Sequence, residues 1–493
     1  MDKYQYTSLT NFGNIRLLHL QPNQDNAAPI NVHLFEYSLL PSTRAMHLYE
    51  ALSYSWGKGV LCESILVDGR KLSVTTNLYE ALVCLRDAQN IRILWIDAVC
   101  INQENDAEKQ AQIPLMPSLY SMASHVIVWL GTAKESEKLA LEAMGLAAEG
   151  SYDEDILSEE GVREAILSIL RREWFKRIWV VQEVGFARSI IVQCGLSVIG
   201  GHAFSLALNS RALDPVYAVS SNVGLQSLLR STTYLMRRAA FRSRNMRVKP
   251  LGLRPLGELI DMYSNREATI NHDKIFALLG MSSDDHSLDL PIDYSREWND
   301  LFRRLLALLL HDRIPITISN CGQRAIIRGI GFVVGKVCSV QYDDHDDQQR
   351  TTVLLKDSRD KEHWMLHPSA EPIQTGDVVC RLQDTMKCMI VRPRQDFYFS
   401  VIMFAAHSPP QIEGSQRNFL LIWEWGTYTE RRESQIVESH ETDTAWKQRV
   451  WDFVSIMDDA EGKEFYDAES LACEPVPLTM DLFDGPWKRV DRY

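Results

Sequence analysis

The run Val126-Ile127-Val128-Trp129-Leu130, closed by Gly131, is the most restrictive stretch of the chain. An unbroken apolar run of this length fits a strand covered on both faces, the situation of a central strand in a parallel sheet. Its neighbours alternate in kind. Ala51 to Tyr54 reads as a short strand ending at Trp56-Gly57, and Ile65 to Leu72 as a hairpin around Asp68-Gly69. Ile91 to Ile96 is a strand that stops at Asp97, and Ser189 to Cys194 is another. Between them Asn77 is placed as the cap of a helix carrying Leu78, Leu82 and Leu85 on one face. Glu108 to Ala123 and Trp174 to Phe186 also read as helices. The alternation predicts α/β architecture with a largely parallel sheet up to about residue 200.

Two prolines interrupt this pattern. Pro114 and Pro117 lie inside the Glu108–Ala123 helix, where an interior proline costs about 3 kcal/mol. At a first helical position it costs little. The helix is therefore expected to break near Ile113 and restart at Pro114 or Pro117.

At 493 residues the chain has material for roughly two to four domains. Residues 1–47 are a lead-in, 48–200 the α/β domain, and 201–313 a helical region with a basic stretch. Residues 314–493 are a β-rich C-terminal domain, expected as a small barrel or sandwich with an acidic tail from Glu433 packing back as helix. Lys and Arg total 52 against 65 Asp and Glu, a formal charge of −13. That balance disfavours attraction of the whole chain to nucleic acid or anionic membrane. No signal peptide or membrane-spanning run is visible. The nine cysteines are scattered and odd in number, which points to a reduced, cytosolic or nuclear setting, and a cytoplasmic location is expected.

Three ordered segments carry a resemblance. They are Tyr49-Glu50-Ala51-Leu52-Ser53-Tyr54-Ser55-Trp56-Gly57, then Leu94 to Gln103 with Asn102-Gln103 at its end, then Trp174-Phe175-Lys176-Arg177-Ile178-Trp179-Val180-Val181-Gln182-Glu183. Together they resemble the heterokaryon incompatibility (HET) domain of filamentous fungi, and His272 to Gly280 and Gly376 to Cys380 are similar to pieces that follow it. The resemblance implies a role in non-self recognition or regulated cell death, with self-association or another incompatibility protein as partner. HET domains in turn look like distant relatives of the Toll/interleukin-receptor (TIR) fold. This implies a TIR-like, flavodoxin-like parallel sheet. In TIR domains that cleave NAD a glutamate lies four residues after a tryptophan, the spacing of Trp179 and Glu183.

The residues allow that chemistry. Positions i and i+4 share a helix face, so Trp179 and Glu183 are expected to project together. At the carboxyl ends of parallel strands they would meet the usual ligand crevice. Breaking the nicotinamide–ribose bond builds oxocarbenium-like charge, which a carboxylate stabilises, while an indole stacks on a planar ring. On this reading Glu183 is catalytic, Trp179, Asp97, Tyr54, Ser53, Trp56 and Gly57 line the substrate, and NAD is substrate with no resident cofactor. The bland reading pairs Glu183 with Arg177 or Arg188 as a structural charge. Asp97 equally caps the turn that follows it, and the domain then signals by homotypic assembly through the Asn102–Asp106 loop.

Other features carry less. Cys100 reads as a buried structural thiol, and Trp95, Trp129 and Trp174 as core. Asp343-Asp344-His345-Asp346-Asp347 lacks the EF-hand pattern, so a solvated loop and no metal are expected. The basic stretch from Arg230 to Arg254 has only Tyr234 and Phe241 among its arginines, thin for nucleic acid, and reads better as a solvated face.

Overall fold

The computed structural model describes residues 2–11, 13–39, 48–57, 60–148, 159–208, 229–236, 254–284, 289–319, 322–342, 349–355, 361–394, 398–406 and 416–425. The first part of the chain runs β1 (Asn14–Leu20), β2 (Asn31–Ser38), β3 (Glu50–Tyr54), β4 (Leu61–Val67), β5 (Arg70–Thr75), α1 (Thr76–Leu85) and β6 (Arg92–Trp95). Then come α2 (Asp97–Cys100), α3 (Asp106–Gln112), α4 (Met116–Met122), β7 (Val126–Trp129), α5 (Glu135–Ala148), α6 (Glu160–Leu170), α7 (Val180–Phe186), β8 (Ile190–Cys194), β9 (Ser197–Gly200) and α8 (Gly201–Leu208).

These strands form a nine-stranded sheet ordered β5-β4-β2-β1-β6-β3-β7-β8-β9. Its centre is parallel, β6 on β3, β3 on β7 and β7 on β8. The flanks are mixed, because β1–β2, β1–β6, β4–β5 and β8–β9 are antiparallel and β2–β4 is parallel. The sheet is thus less uniformly parallel than the run of strands and helices predicts: β1–β2, β4–β5 and β8–β9 are consecutive strands joined directly, which makes them antiparallel, and β1 also runs antiparallel to the distant β6. Taken in chain order, the four central strands lie 2-1-3-4. The apolar run at Val126–Trp129 is buried along its whole length, as a central strand should be.

Helix α1 corrects one expectation. Its cap is Thr75, whose hydroxyl accepts from the Leu78 amide, and not Asn77. Asn77 instead donates to the Ser55 carbonyl at 2.6 Å and accepts the Trp129 indole N–H at 2.9 Å. The Asn77 side chain is thus taken up by the end of β7 and the residue just past β3, which leaves the helix end to Thr75. The proline break occurs as expected: α3 ends at Gln112, a 3₁₀ turn spans Ile113–Leu115, and α4 begins at Met116 with Pro117 in its first turn.

Downstream lie α9 (Leu256–Tyr263), α10 (Asp273–Leu279) and α11 (Trp298–Leu310). The β-rich part follows as β10 (Ile316–Ile318), β11 (Arg324–Tyr342), β12 (Gln349–Leu355), β13 (Lys361–Leu366), β14 (Val378–Leu382), β15 (Cys388–Pro393), β16 (Phe399–Ala406) and β17 (Arg417–Glu424). Strand β11 pairs with β17 through its first half, with β14 in the middle and with β12 at its end. With β14–β15, β15–β16 and β16–β17 also paired, the strands close a five-membered circuit, a small barrel extended by β12 and β13. Bulges at Val333/Gly335 and Val337/Ser339 bend the long strand. At Gly331, where β14 and β17 meet it, an added Cβ would lie 2.4 Å from the Arg381 carbonyl oxygen. The acidic tail, the Asp343–Asp347 loop and the arginines between 237 and 253 lie outside the described residues. No helix among the described residues is long and apolar enough to cross a membrane.

The close approach at Gly331 sets a measurable expectation. Gly331→Ala should destabilise the chain by about 1–3 kcal/mol in urea unfolding, the usual cost of forcing atoms into a packed region. Gly200→Ala, whose added Cβ meets nothing within 4 Å, should be close to neutral. Equal midpoints for the two variants would contradict the barrel closure.

Candidate active site

Strands β3 and β6 are adjacent and parallel, so their carboxyl ends deliver Ser53, Tyr54 and Asp97 to one edge of the sheet. Helix α7 closes over that edge. The segment before it is not the continuous helix read from Trp174 to Phe186. Residues Glu173–Lys176 make a 3₁₀ turn, Arg177 is extended at φ −67 and ψ 137, and α7 starts only at Val180. The physical reason is a backbone pairing: the Ile178 amide donates to the Glu267 carbonyl at 2.9 Å, and the Glu267 amide to the Lys176 carbonyl at 2.7 Å. A helical Arg177 would forfeit both bonds.

Glu183 sits in the first turn of α7 and is 3 % exposed. Ser53 Oγ donates to its carboxylate and in turn accepts the Trp174 indole N–H at 2.8 Å. Arg177, half-buried, donates to the Tyr54 carbonyl. Burial pushes the Glu183 carboxyl up to about 7, against the attraction of Arg177 and the Ser53 hydrogen bond, with Asp97 adding repulsion. Burial disfavours the charged form and a nearby cation favours it, and at Glu183 burial is the larger effect. Asp97 is raised too, chiefly by burial, while Arg177 and the indole of Trp56, 2.9 Å from Oδ2, oppose the shift. Burial, then Asp97, drives the Tyr54 hydroxyl well above its ordinary value.

The structure therefore brings together Glu183, Ser53, Tyr54, Asp97 and Arg177, with Trp56 joined through Asp97. Other expected members lie differently. Trp179 precedes the first turn of α7, with its indole N–H toward the Asp273 carboxylate of α10. Gln182 is buried and donates to the Ala277 carbonyl at 2.8 Å, a tie between helices. Gly57 is exposed, at φ +67 with nothing within 4 Å of an added Cβ. Asn102 and Gln103 organise their loop. Asn102 accepts the Glu104 amide at 3.1 Å, and Gln103 donates to the Asp97 carbonyl at 2.9 Å.

Sequence reasoning passed over three contributors. Trp174 was assigned to the core, where it lies, but it also orients Ser53. Tyr120 of α4 is buried with its hydroxyl raised by burial and then by Glu183. Asp273 receives the Tyr294 hydroxyl at 2.6 Å. The last was legible as part of His272-Asp273-Lys274, although nothing in the sequence links that run to Trp179. Cys100 is buried and its thiol is pushed up to about 12, the opposite of an activated nucleophile. Among the described residues no group of three or more His, Cys, Asp or Glu side chains could hold a metal ion.

The family described as "Heterokaryon incompatibility protein (HET)" matches residues 49–183, the span from β3 to Glu183 itself. The chain is similar to heterokaryon incompatibility protein 6, OR allele, of Neurospora crassa, at 28% identity over 57% of this chain and 49% of that protein. It thus spans about half the length of the curated relative it matches. No solved structure matches.

The raised carboxyl makes stability depend on pH. The native chain keeps the Glu183 proton between the ordinary value of 4.5 and about 7, where the unfolded chain has lost it. Stability from this group is complete below the lower value and is lost as pH rises toward the upper one. Glu183→Gln carries no such proton. Its stability relative to wild type should rise between pH 4.5 and 8, by at most about 3 kcal/mol. Parallel urea curves across that range would mean that the carboxyl is not buried as described.

Proposed function

On the premise that this chain is a HET-domain protein, we propose that it acts in heterokaryon incompatibility, as an effector that cleaves the nicotinamide–ribose bond of NAD at Glu183. The observation that carries this reading is the placement of a carboxylate, poised near neutrality, at the carboxyl ends of adjacent parallel strands. The central order 2-1-3-4 supports it, since it is the order of the first four strands of the doubly wound flavodoxin-like and TIR-like sheet. In such sheets ligands bind where the strand order reverses, here beside β3 and β7.

The chemistry asks little of the protein. As the bond to nicotinamide lengthens, the ribose carbon gains positive charge and the ring nitrogen recovers its electron pair, so nicotinamide leaves neutral without a proton. Water adds to the ribose carbon, giving ADP-ribose and one released proton. Ionised Glu183 stabilises the charged sugar. Ser53 and Trp174 fix the carboxylate's orientation, and Asp97 and Tyr54 shape the ribose side. The Trp179 indole, half-buried at the margin, supplies a face for the planar ring. Because the carboxyl must be ionised, cleavage should rise with pH through about 7.

The burial of Glu183 favours a second reading, a non-enzymatic module acting by homotypic assembly. The Asn102–Asp106 loop is its contact surface, since Glu104, Asn105 and Asp106 are exposed. The two readings separate in cells expressing matched amounts of protein. For the enzyme, wild type should deplete NAD, and Glu183→Gln should lower the rate about a hundredfold or more, the usual loss of a transition-state charge partner. Cell death with NAD unchanged, still present in Glu183→Gln and abolished by Glu104→Lys with Asp106→Lys, would replace it by assembly.

A further inference from the structure

Glu183 and Ser53 are 3 % and 0 % exposed, so nothing of dinucleotide size reaches the carboxylate while α7 is seated as it is. Such ligands occupy roughly 300–1,000 Å³. Helix α7 packs on α4 and β3, within residues 49–183, and is tied down from outside that span as well. Helix α10 packs on it, with Gln182 donating to Ala277. At Gly280, just past α10, an added Cβ would stand 2.4 Å from Gln182 Nε2, so the two helices are in close contact. The extended step before α7 is paired on both sides to Glu267, and buried Arg266 donates to the Phe175 carbonyl at 2.7 Å.

These elements are themselves fastened to the barrel. Asp261, near the end of α9 and buried, accepts the amides of Phe404 and Ala405 at 2.7 and 2.9 Å and lies 3.2 Å from His367 Nε2. The Ala370 amide donates to the Asp261 carbonyl at 2.6 Å. Lys274 of α10 reaches the Trp425 carbonyl at 3.3 Å, just beyond β17. A continuous path of hydrogen bonds thus runs from barrel strand β16 through α9 and the 264–267 turn to the segment that carries Arg177 and Glu183.

We propose that this path is a brace by which the C-terminal barrel holds the site shut, so that loosening the barrel from α9 releases α7 and exposes Glu183. The brace rests on the reading of Glu183 as the site, yet it makes a claim of its own about opening. The carboxylate network, not a steric plug, is what the brace keeps assembled: α7 retains its seat on Ser53 only while the 176–178 step stays paired with Glu267. Lifting that step withdraws Arg177 from the Tyr54 carbonyl and Glu183 from Ser53 together. A partner that binds the barrel could therefore act on the site without touching it.

Asp261→Ala in the full chain tests this by amide hydrogen exchange. Residues 180–186 should exchange about tenfold faster or more than in wild type, as a local opening would allow, with residues 126–129 still protected. Loss of protection at 399–406 with wild-type exchange at 180–186 would overturn the brace. Should Asp261→Ala lose protection at 126–129 as well, Asp261→Asn keeps the shape of the side chain and removes one of its two acceptors for the β16 amides. Faster exchange at 180–186 in that variant supports the brace, and wild-type exchange there overturns it. NAD consumption measured on the same samples separates the two ideas. Faster exchange with faster NAD loss supports both, whereas faster exchange without NAD loss upholds the brace and removes the glycohydrolase.

Discussion

A carboxylate taken out of water must be answered by its neighbours, and the answer to Glu183 organises much of the molecule. Ser53 donates to it from the end of β3, at the height fixed by the parallel pairing of Ser53 with Val128. Trp174 then occupies the remaining face of that hydroxyl, which places the 3₁₀ turn before α7. Arg177, held extended by the pairing of its neighbours with Glu267, reaches the Tyr54 carbonyl with its guanidinium. Removing one partner from a buried charge is costly, by about 3–5 kcal/mol where it has been measured in other proteins. The network is therefore cooperative, because each member is placed by another.

Asp261 repeats the logic at the other end. It is a buried acid whose oxygens are taken by two strand amides and a histidine. The barrel reaches this contact because β11 bends. A strand of 19 residues cannot stay flat beside four partners, and its glycines and bulges let it serve β10 and β17, then β14, then β12. Packing of α9 on β16 then gives the helical region a rigid surface to lean on.

The α/β core was legible in the sequence because its signals are local. The Val126–Trp129 run, the Asp68-Gly69 turn and the pair of prolines each act within a few residues, and each appears in the structure as read. Asn77 and Arg177 depart from the local pattern for one reason: distant partners place them, Trp129 through the side chain of the first and Glu267 through the backbone beside the second. A helical pattern in Trp174–Phe186 says nothing about a backbone pairing with Glu267. Glu183 and Asp97 could be named as candidates, but their shared field with Tyr120 could not, since it arises only when α4 and α7 pack together.

Buried Arg16 on β1 has a consequence for where this fold begins and ends as a cooperative object. Its guanidinium donates to Glu108 at 2.6 and 3.1 Å and to the Cys100 carbonyl at 3.0 Å, and β1 hydrogen-bonds directly to β6. A fragment trimmed to residues 49–183 would strip β1 from that edge, leave Glu108 half-buried without its cation, and bare the face of α7 that α10 covers. The span that the family match covers is thus smaller than the set of residues whose contacts hold it together.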